Sequence, residues 1–309
     1  MQKNFIPLMA AVTVLTAAVS CAPKQPQYAN KAEKVIAEIH NPDSRYVIVA
    51  SHRGDWRNYP ENSLPAIESV IRMGVDIMEL DLKLTKDSVL VLSHDWTCDR
   101  MTNGKGRIET MTYDSLMTFN LKTAHGVRIP GTHIATLREA LEVCKDRIVV
   151  NVDQGWEYYD MVLAITEELG VTDQILIKGK KPIEKVAQKM AGHAHNMMYM
   201  PIIDIQKPQG AALFQSYLDV GEVPLAYEVC FSELDDVARD CAKKVVEQGS
   251  KLWVNTLWAS LNGGYDDDRA YDAADPGEVY DVILDLGTSM IQTDRPEFLI
   301  KYLEKKGRR

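Results

Sequence analysis

Eight short apolar runs recur along the chain, and stretches with helical periodicity separate most of them. A short run of apolar and β-branched residues that stops at polar or turn residues is typical of a buried strand. Because strands that alternate with helices form parallel sheets, eight such units predict the α/β class and a (β/α)8 TIM barrel. The predicted strands end at Ser51, Leu82, Asp153, Lys178, Ile203, Val229, Thr256 and Thr293.

One further apolar run, Val89 to Leu92, follows the second predicted strand after the turn residues Thr85 to Ser88. So short a connection joins antiparallel strands, so we predict an extra β-hairpin strand outside the barrel count. His94 follows this run directly, and His52 follows the first predicted strand. The hairpin can therefore bring both histidines to the same end of the sheet.

Capping residues mark several helix boundaries. Asn62 or Ser63 can cap the helix after the first strand, and Gly74 can end it. Thr136 and Glu139 have the spacing of a capping box that opens a later helix.

Length and composition predict one large domain over residues 31–309. The chain has 309 residues, of which 46% are hydrophobic and 26% charged, enough to bury the core of a single barrel. The net charge of −9 argues against nucleic acid as a partner. Cys98, Cys144, Cys230 and Cys241 have no metal-type spacing, and we interpret them as buried small residues or an occasional bridge.

The N-terminus has the features of an export signal. Residues 1–20 contain Lys3, an apolar stretch and small residues before Cys21. This resembles a bacterial lipoprotein cleavage box with Cys21 as the lipidation site, although Ala18 replaces the usual Leu, so ordinary secretion is the alternative. Residues 21–30 then form a short tether. We expect an exported chain, periplasmic or in the cell envelope, with membrane contact through the lipid.

Two carboxylates and three basic side chains stand at the ends of the first strands. Glu79 and Asp81 alternate with apolar residues, so their side chains lie on one face and repel each other unless a cation or proton lies between them. A half-exposed strand with its polar face in water is the alternative. His52, Arg53 and His94 flank this pair, which favours catalysis over a structural role for the histidines.

In this stretch the sequence resembles the glycerophosphodiester phosphodiesterases. Six motifs of that family occur in order, densely over the first third of the mature chain and sparsely afterwards. They are His52-Arg53-Gly54, Pro60-Glu61-Asn62-Ser63, Glu79-Leu80-Asp81, Thr85-Lys86-Asp87, Val91-Leu92-Ser93-His94-Asp95 and Arg100-Met101-Thr102-Asn103-Gly104-Lys105-Gly106.

The resemblance implies a TIM barrel, an insertion over residues 97–136 and a third metal ligand at Asp153, where the family carries glutamate. The family's lysine two residues later is replaced by Gly155, and Lys178 is a candidate substitute in binding the phosphate. It also implies supporting roles for Glu61 and Asp95.

Other polar residues end predicted strands on the later part of the chain. Glu228 and Asn255 could support the site, although Glu228 could instead pair with Lys178. Trp253 and Trp258 could wall the substrate mouth or simply pack. Asp294 also ends a strand, and we assign it no role. We interpret the acidic run of residues 266–268 as a solvated rim.

These residues predict the reaction. Carboxylate oxygens from Glu79, Asp81 and Asp153 favour one divalent cation, Mg²⁺ or Ca²⁺, over Zn²⁺. Arg53 can hold a phosphoryl oxygen, and His52 and His94 can serve as the acid and base, in either order.

The leading hypothesis is a metal-dependent phosphodiesterase that releases glycerol 3-phosphate and an alcohol from a small glycerophosphodiester. A phosphodiesterase for lysolipids or sphingolipids, and a non-catalytic lipoprotein that binds a phosphodiester, are the alternatives.

Overall fold

A computed structural model describes residues 27–309 of the chain. Within this range the chain forms nine β-strands: β1 (Ile48–Ser51), β2 (Ile77–Leu84), β3 (Leu90–Leu92), β4 (Val149–Asp153), β5 (Ile175–Gly179), β6 (Met198–Asp204), β7 (Ala226–Cys230), β8 (Lys251–Asn255) and β9 (Met290–Thr293). All strands except β3 pair in parallel, and β1 pairs with both β2 and β9. The parallel sheet is therefore a closed eight-stranded barrel, as predicted.

The third strand lies outside the barrel. β3 pairs antiparallel with β2, with Leu82 opposite Leu92 and Leu84 opposite Leu90. The predicted extra hairpin strand is thus confirmed. Each barrel strand also ends within two residues of its predicted end, because burial on both faces gives these strands continuous apolar runs.

Eleven α-helices lie within the described residues: α1 (Lys31–His40), α2 (Leu64–Met73), α3 (Tyr113–Met117), α4 (Leu137–Cys144), α5 (Tyr159–Leu169), α6 (Ile183–Met190), α7 (Pro208–Val220), α8 (Asp236–Glu247), α9 (Asp267–Asp272), α10 (Gly277–Asp285) and α11 (Pro296–Lys305). Ser63, rather than Asn62, caps α2 through its side chain, and Gly74 ends that helix in the left-handed conformation. The capping box of Thr136 and Glu139 opens α4 as expected.

The barrel sheet has one apolar core on its outer face and a second one inside the barrel. Outward strand residues pack against the helices, while inward residues such as Ile48, Ile77 and Trp253 pack with Val35 and Ile39 of α1. Helix α1 therefore closes the N-terminal end of the barrel. The inner core leaves the C-terminal strand ends for polar groups.

Residues 93–136, between β3 and α4, form a separate layer with its own small core. Cys98, Ile108, Leu116, Leu121 and Ile134 are buried together there. The segment predicted as an insertion is thus a packed unit with one short helix, α3, rather than a bare surface loop.

The structure bears on the cysteines and on membrane spans, but not on the expected export signal. Cys98, Cys144, Cys230 and Cys241 are all buried and free, so no disulfide forms among the described residues. Within residues 27–309 no helix has the length and apolar character needed to cross a bilayer. The expected signal sequence and Cys21 lie outside the described residues.

Candidate active site

Three carboxylates converge at the C-terminal ends of β2 and β4. Glu79, Asp81 and Asp153 each offer an oxygen atom, and these atoms lie within 4.8 Å of one another. Asp81 and Asp153 are direct partners across the strand pair. Burial and then repulsion from Asp81 and Asp153 raise the pKa of Glu79 well above its usual value. A divalent cation relieves such repulsion, so the donor set fits a hard metal ion.

The loops after β1 fix two of these carboxylates. The Arg53 backbone N–H donates to Glu79 Oε2 at 2.8 Å, and Asn62 Nδ2 donates to Asp81 Oδ2 at 2.9 Å. Both Arg53 and Asn62 have φ of 53°, in the left-handed region. Such backbone strain persists only where the surroundings enforce it and is frequent at functional sites. Asn62, a cap candidate and a member of the Pro60–Ser63 motif in the sequence, is therefore a site residue.

The Arg53 guanidinium lies between two acidic side chains. Its Nη1 lies 3.2 Å from Glu61 Oε1 and its Nε lies 3.4 Å from Asp81 Oδ2. Within residues 27–309 this Nε has no hydrogen-bond partner. Arg53 therefore retains donor capacity beside the carboxylate cluster.

The two predicted catalytic histidines each contact an aspartate through Nδ1. His52 Nδ1 lies 2.8 Å from Asp294 Oδ1, and His94 Nδ1 lies 2.7 Å from Asp95 Oδ1. A carboxylate accepts a hydrogen bond, so in each pair Nδ1 carries the proton and Nε2 is the open nitrogen. His52 is buried, whereas the His94 side chain is 42% exposed.

Arg100 links the acidic residues around His94. It donates to both oxygens of Glu61, at 2.6 and 2.8 Å, and to both oxygens of Asp95, at 2.8 and 3.1 Å. The hydrogen bonds from Arg100 hold the pKa of Asp95 well below its usual range. Burial alone would raise the pKa of Glu61, but Arg100 and Arg53 lower it. Both carboxylates are therefore charged and held in place near neutral pH.

A cavity of about 520 Å³ opens outward from His52 and Arg53. We call it the outer cavity. The barrel side contributes Trp56, Glu61, Trp258 and Asp294, and the segment after β3 contributes Arg100, Met101, Lys122, Thr123, Ala124 and Gly126. The segment predicted as an insertion thus forms one wall of the candidate active site.

The end of β4 explains how the chain accommodates Gly155. Gln154 adopts a left-handed conformation with φ of 60°, which turns the chain at the strand end. A Cβ atom at Gly155 would lie 2.8 Å from Val152 Cγ1 and 2.9 Å from Ile177 Cδ1. Residue 155 therefore points into the outer core, and a lysine there would not enter the site.

Lys83 and Gln154 occupy the adjacent space instead. Lys83 is buried on β2, two residues after Asp81, and its Nζ donates to Gln154 Oε1 and to Ser93 O. Gln154 Nε2 also lies 3.4 Å from Asp81 Oδ1. The alternation of Glu79, Asp81 and Lys83 on β2 is the sequence signal that places Lys83 on the same face as the two carboxylates.

Lys178, the candidate substitute lysine, is engaged in an ion pair inside the barrel. Its Nζ lies 3.0 Å from Glu228 Oε2, and both side chains are buried. Burial alone would lower the pKa of Lys178, but the charges of Glu228, Asp153 and Glu79 outweigh burial and raise it. Asn255 Nδ2 donates to Glu228 Oε1 at 2.9 Å. The alternative that Glu228 pairs with Lys178 is the one observed.

The two tryptophans near Asn255 have different positions. Trp253 is fully buried in the inner core and donates to Asn255 Oδ1 at 2.7 Å. Trp253 therefore packs inside the barrel and does not line the mouth of the site. The reason is that its side chain points from β8 into the inner core. Trp258 lines the outer cavity and is 47% exposed.

The interpretation of residues 266–268 as a solvated rim is wrong for Asp267. Asp266 caps α9, and Asp267 in its first turn is buried. Its carboxylate accepts from the Asp294 backbone N–H, Thr256 Oγ1 and Tyr280 OH at 2.8 to 2.9 Å. Asp267 therefore anchors the residue that contacts His52. The signal was Asp266 as a helix cap, with acidic residues in the first turn.

Comparisons with known proteins agree with this geometry. A family model described as the glycerophosphoryl diester phosphodiesterase family matches residues 52–216. A second model, described as a domain of unknown function, matches residues 199–303.

A glycerophosphodiester phosphodiesterase of Caldanaerobacter subterraneus is 28% identical over 269 residues, covering 84% of this chain and 99% of that protein. Human glycerophosphodiester phosphodiesterase 1 is 38% identical over 109 residues, which cover 35% of this chain and 33% of that protein.

Solved structures have the same fold. A glycerophosphoryl diester phosphodiesterase of Parabacteroides distasonis superposes with a TM-score of 0.72 at 22% identity, covering 89% of this chain and 92% of that one. A phosphodiesterase of Oleispira antarctica, solved in complex with the product sn-glycerol-3-phosphate, has a TM-score of 0.64 at 17% identity, covering 83% of this chain and 96% of that one.

Proposed function

Because the chain belongs to the glycerophosphoryl diester phosphodiesterase family, we propose that it hydrolyses glycerophosphodiesters to glycerol 3-phosphate and an alcohol. In the overall reaction, water supplies a hydroxyl to phosphorus, the bond from phosphorus to the alcohol oxygen breaks, and the alcohol leaves with a proton. The observation that carries the proposal is the cluster of Glu79, Asp81 and Asp153, with the Arg53 backbone bonded to Glu79.

In this proposal the three carboxylates hold one divalent cation, Mg²⁺ or Ca²⁺. The donor set supports this, because all three groups supply hard oxygen atoms and their mutual repulsion is relieved by positive charge. The bound cation would neutralise and orient the phosphate. The protein residues around it then have to bind the remaining phosphoryl oxygen and move protons.

Arg53 is the residue that we propose to contact a phosphoryl oxygen. Arg53 lines the outer cavity, and its guanidinium lies beside the carboxylate cluster, with Nε 3.4 Å from Asp81 Oδ2. Lys178 acts through its charge rather than by contact, because its ammonium group is paired with Glu228 at 3.0 Å. Both residues offset the negative charge that the substrate brings.

His52 and His94 are the proposed acid and base. One takes a proton from the attacking oxygen, and the other gives a proton to the leaving alcohol. Asp294 and Asp95 hold the two imidazoles through Nδ1, which leaves each Nε2 for proton transfer. The pairing supports these roles, since proton transfer requires an oriented imidazole.

The test is release of glycerol 3-phosphate from glycerophosphodiesters with Mg²⁺, with Ca²⁺ and with chelator. We expect cation-dependent release, and a loss of about 10²-fold or more in His52→Ala and in His94→Ala. His195→Ala is the matched control, because His195 is exposed on the loop before β6, at the opposite end of the barrel.

Two other results would redirect the proposal. Release only from lysophosphatidylcholine or sphingomyelin would favour a lipid phosphodiesterase. Binding of glycerophosphodiesters without turnover, unchanged in both histidine variants, would favour a binding protein.

We also propose that the chain is exported and carries lipid at Cys21. Mass spectrometry of the mature N-terminus tests this: a diacylated Cys21 supports it, and an intact residue 1 contradicts it.

A further inference from the structure

Some charged groups that line the outer cavity have partners of opposite charge within the protein, and one does not. Its carboxylates are Glu61 and Asp294, and its cations are Arg53, Arg100 and Lys122. Arg100 binds both oxygens of Glu61, and Asp294 Oδ1 accepts from both His52 and Trp56. Both carboxylates and both arginines are therefore engaged within the protein, and among the described residues Lys122 is the cavity cation that forms no ion pair.

Lys122 is the cation with the most open donor capacity. Within residues 27–309 the only hydrogen bond of its Nζ is to the Asp99 backbone oxygen, at 2.7 Å, and no acidic side chain of that range lies within 4.0 Å of this Nζ. An ammonium group has three donors, so two of them remain for other acceptors. Lys122 lies in the cavity wall, where it favours a ligand with hydroxyl oxygens and repels a ligand cation.

The aromatic walls do not form a cage for a quaternary ammonium group. Such a cage needs open indole faces and an available negative charge. The Arg57 guanidinium already lies over the Trp56 ring, 4.6 Å from its centroid. Trp258 is half-exposed and contacts His52 edge-on at 6.0 Å between ring centroids. Trp258 therefore offers one apolar face, suited to packing against the carbon skeleton of an alcohol.

The outer cavity borders one of the two proposed catalytic histidines and is large enough for a ligand. His52 and Arg53 line its inner end, and its volume of about 520 Å³ lies in the range of sites that hold a whole small-molecule ligand. We propose that the outer cavity binds the leaving alcohol of the diester, and that it selects an uncharged polyhydroxy alcohol over a cationic one. This inference rests on the proposed function. Lys122 donates to an alcohol hydroxyl, and Trp258 packs against its carbon face.

The experiment compares kcat/KM for four diesters of glycerol 3-phosphate. Two carry uncharged polyols, glycerol and inositol, and two carry cations, choline and ethanolamine. We expect kcat/KM to be at least about fivefold higher for both polyol diesters, the size of one unfavourable charge contact at a partly exposed site.

Variants at Lys122 test the cause of the selectivity. Lys122→Glu should raise kcat/KM for the choline diester and lower it for the inositol diester, each by about threefold to fivefold. Lys122→Gln keeps hydrogen-bond donors without the charge and should reduce the discrimination while remaining folded. Lys105→Glu is the matched control, because Lys105 is exposed in the same segment, does not line the cavity, and gives the same change in net charge.

The outcomes separate this inference from the function on which it rests. Equal kcat/KM for all four diesters, or a preference for choline, overturns the inference and leaves the phosphodiesterase function intact. An identical effect of Lys122→Glu and Lys105→Glu also overturns it, since the effect would then come from net charge. Release from none of the diesters overturns the proposed function and this inference together.

Discussion

His52 Nδ1 lies 2.8 Å from Asp294 Oδ1, although 242 positions separate the two residues in the chain. The contact forms because β1 and β9 are neighbours in the closed barrel, with Ser51 opposite Thr293. Trp56 Nε1 donates to the same oxygen at 2.6 Å, and Asp267 holds the Asp294 backbone. The orientation of the His52 imidazole is therefore set by the last strand of the barrel.

Asp294→Asn should lower kcat by about 10²-fold with little change in KM, because an amide can present its N–H to Nδ1 and favour the wrong tautomer of His52. The ¹⁵N NMR spectrum of the imidazole should report the tautomer change, which a purely structural role of Asp294 would not produce. Trp56→Phe is the control for the tautomer, since it removes one donor to Asp294, leaves the histidine contact and should leave the ¹⁵N spectrum of His52 unchanged. Equal kcat in the wild type and Asp294→Asn would contradict the prediction.

Removal of divalent cations should destabilise the protein. A cation at 100 times its Kd adds about 2.7 kcal/mol to the free energy of unfolding, or roughly 4 to 5 °C in Tm for a domain of this size. Glu79→Gln should abolish most of this rise and also raise the Tm of the chelated protein, because it removes a buried carboxyl whose pKa is raised by burial and repulsion.

Differential scanning calorimetry with and without Mg²⁺ or Ca²⁺ measures both effects. Glu142→Gln, at an exposed position of α4, is the control and should keep the full rise in Tm. A chelated Glu79→Gln protein less stable than the chelated wild type would argue against repulsion in the cluster.

The buried pair of Lys178 and Glu228 should be coupled in stability. Lys178→Met leaves the Glu228 carboxylate buried without its cation and should lower the free energy of unfolding by about 3 to 5 kcal/mol. The double variant Lys178→Met/Glu228→Gln should recover a substantial part of that loss, because it removes both charges. Urea unfolding of the two single variants and the double variant gives the coupling energy. Strictly additive losses would mean that the ion pair has no net role.

The stability of the protein should fall between about pH 4 and pH 7 through Asp267. Burial raises the pKa of this carboxyl to about 7, although hydrogen bonds to it act in the opposite direction. The folded state therefore retains a proton that the unfolded state releases near pH 4. The contribution of this proton to the free energy of unfolding is fully present below about pH 4 and is lost as the pH rises through 7.

Asp267→Asn should flatten this part of the curve of unfolding free energy against pH. Asp272→Asn, an exposed residue at the end of α9, should leave the curve unchanged. A slope retained in full by Asp267→Asn would assign the pH dependence to other groups.

The barrel and its carboxylate cluster could be predicted because the signals are local. Strand burial produces apolar runs, and strand alternation places Glu79 and Asp81 on one face wherever the strand lies. Strand ends collect at one edge of a parallel barrel, so Asp153 joins the cluster as soon as β4 lies beside β2. Ser63 and Thr136 cap their helices for equally local reasons.

The remaining features depend on contacts and backbone choices that the local pattern does not contain. A left-handed Gln154 turns residue 155 into the outer core, which the identity of residue 155 alone does not indicate. Whether Lys178 meets a phosphate or Glu228 depends on which inward side chains approach each other inside the closed barrel, since β6 separates their strands β5 and β7.

The sequence by itself therefore determined the fold class and the positions of the carboxylates and the two histidines along the predicted strands. Apolar runs and strand alternation are patterns of a few residues, so they can be recognised locally. Only the tertiary structure decided which partner holds each of them, since closure of the barrel brings Asp294 to His52 and Asp267 to Asp294. It also buried Trp253 and left Trp258 and Lys122 to form the walls of the outer cavity. Burial and contacts between distant residues determine these partners, and the spacing of residues along the chain predicts neither.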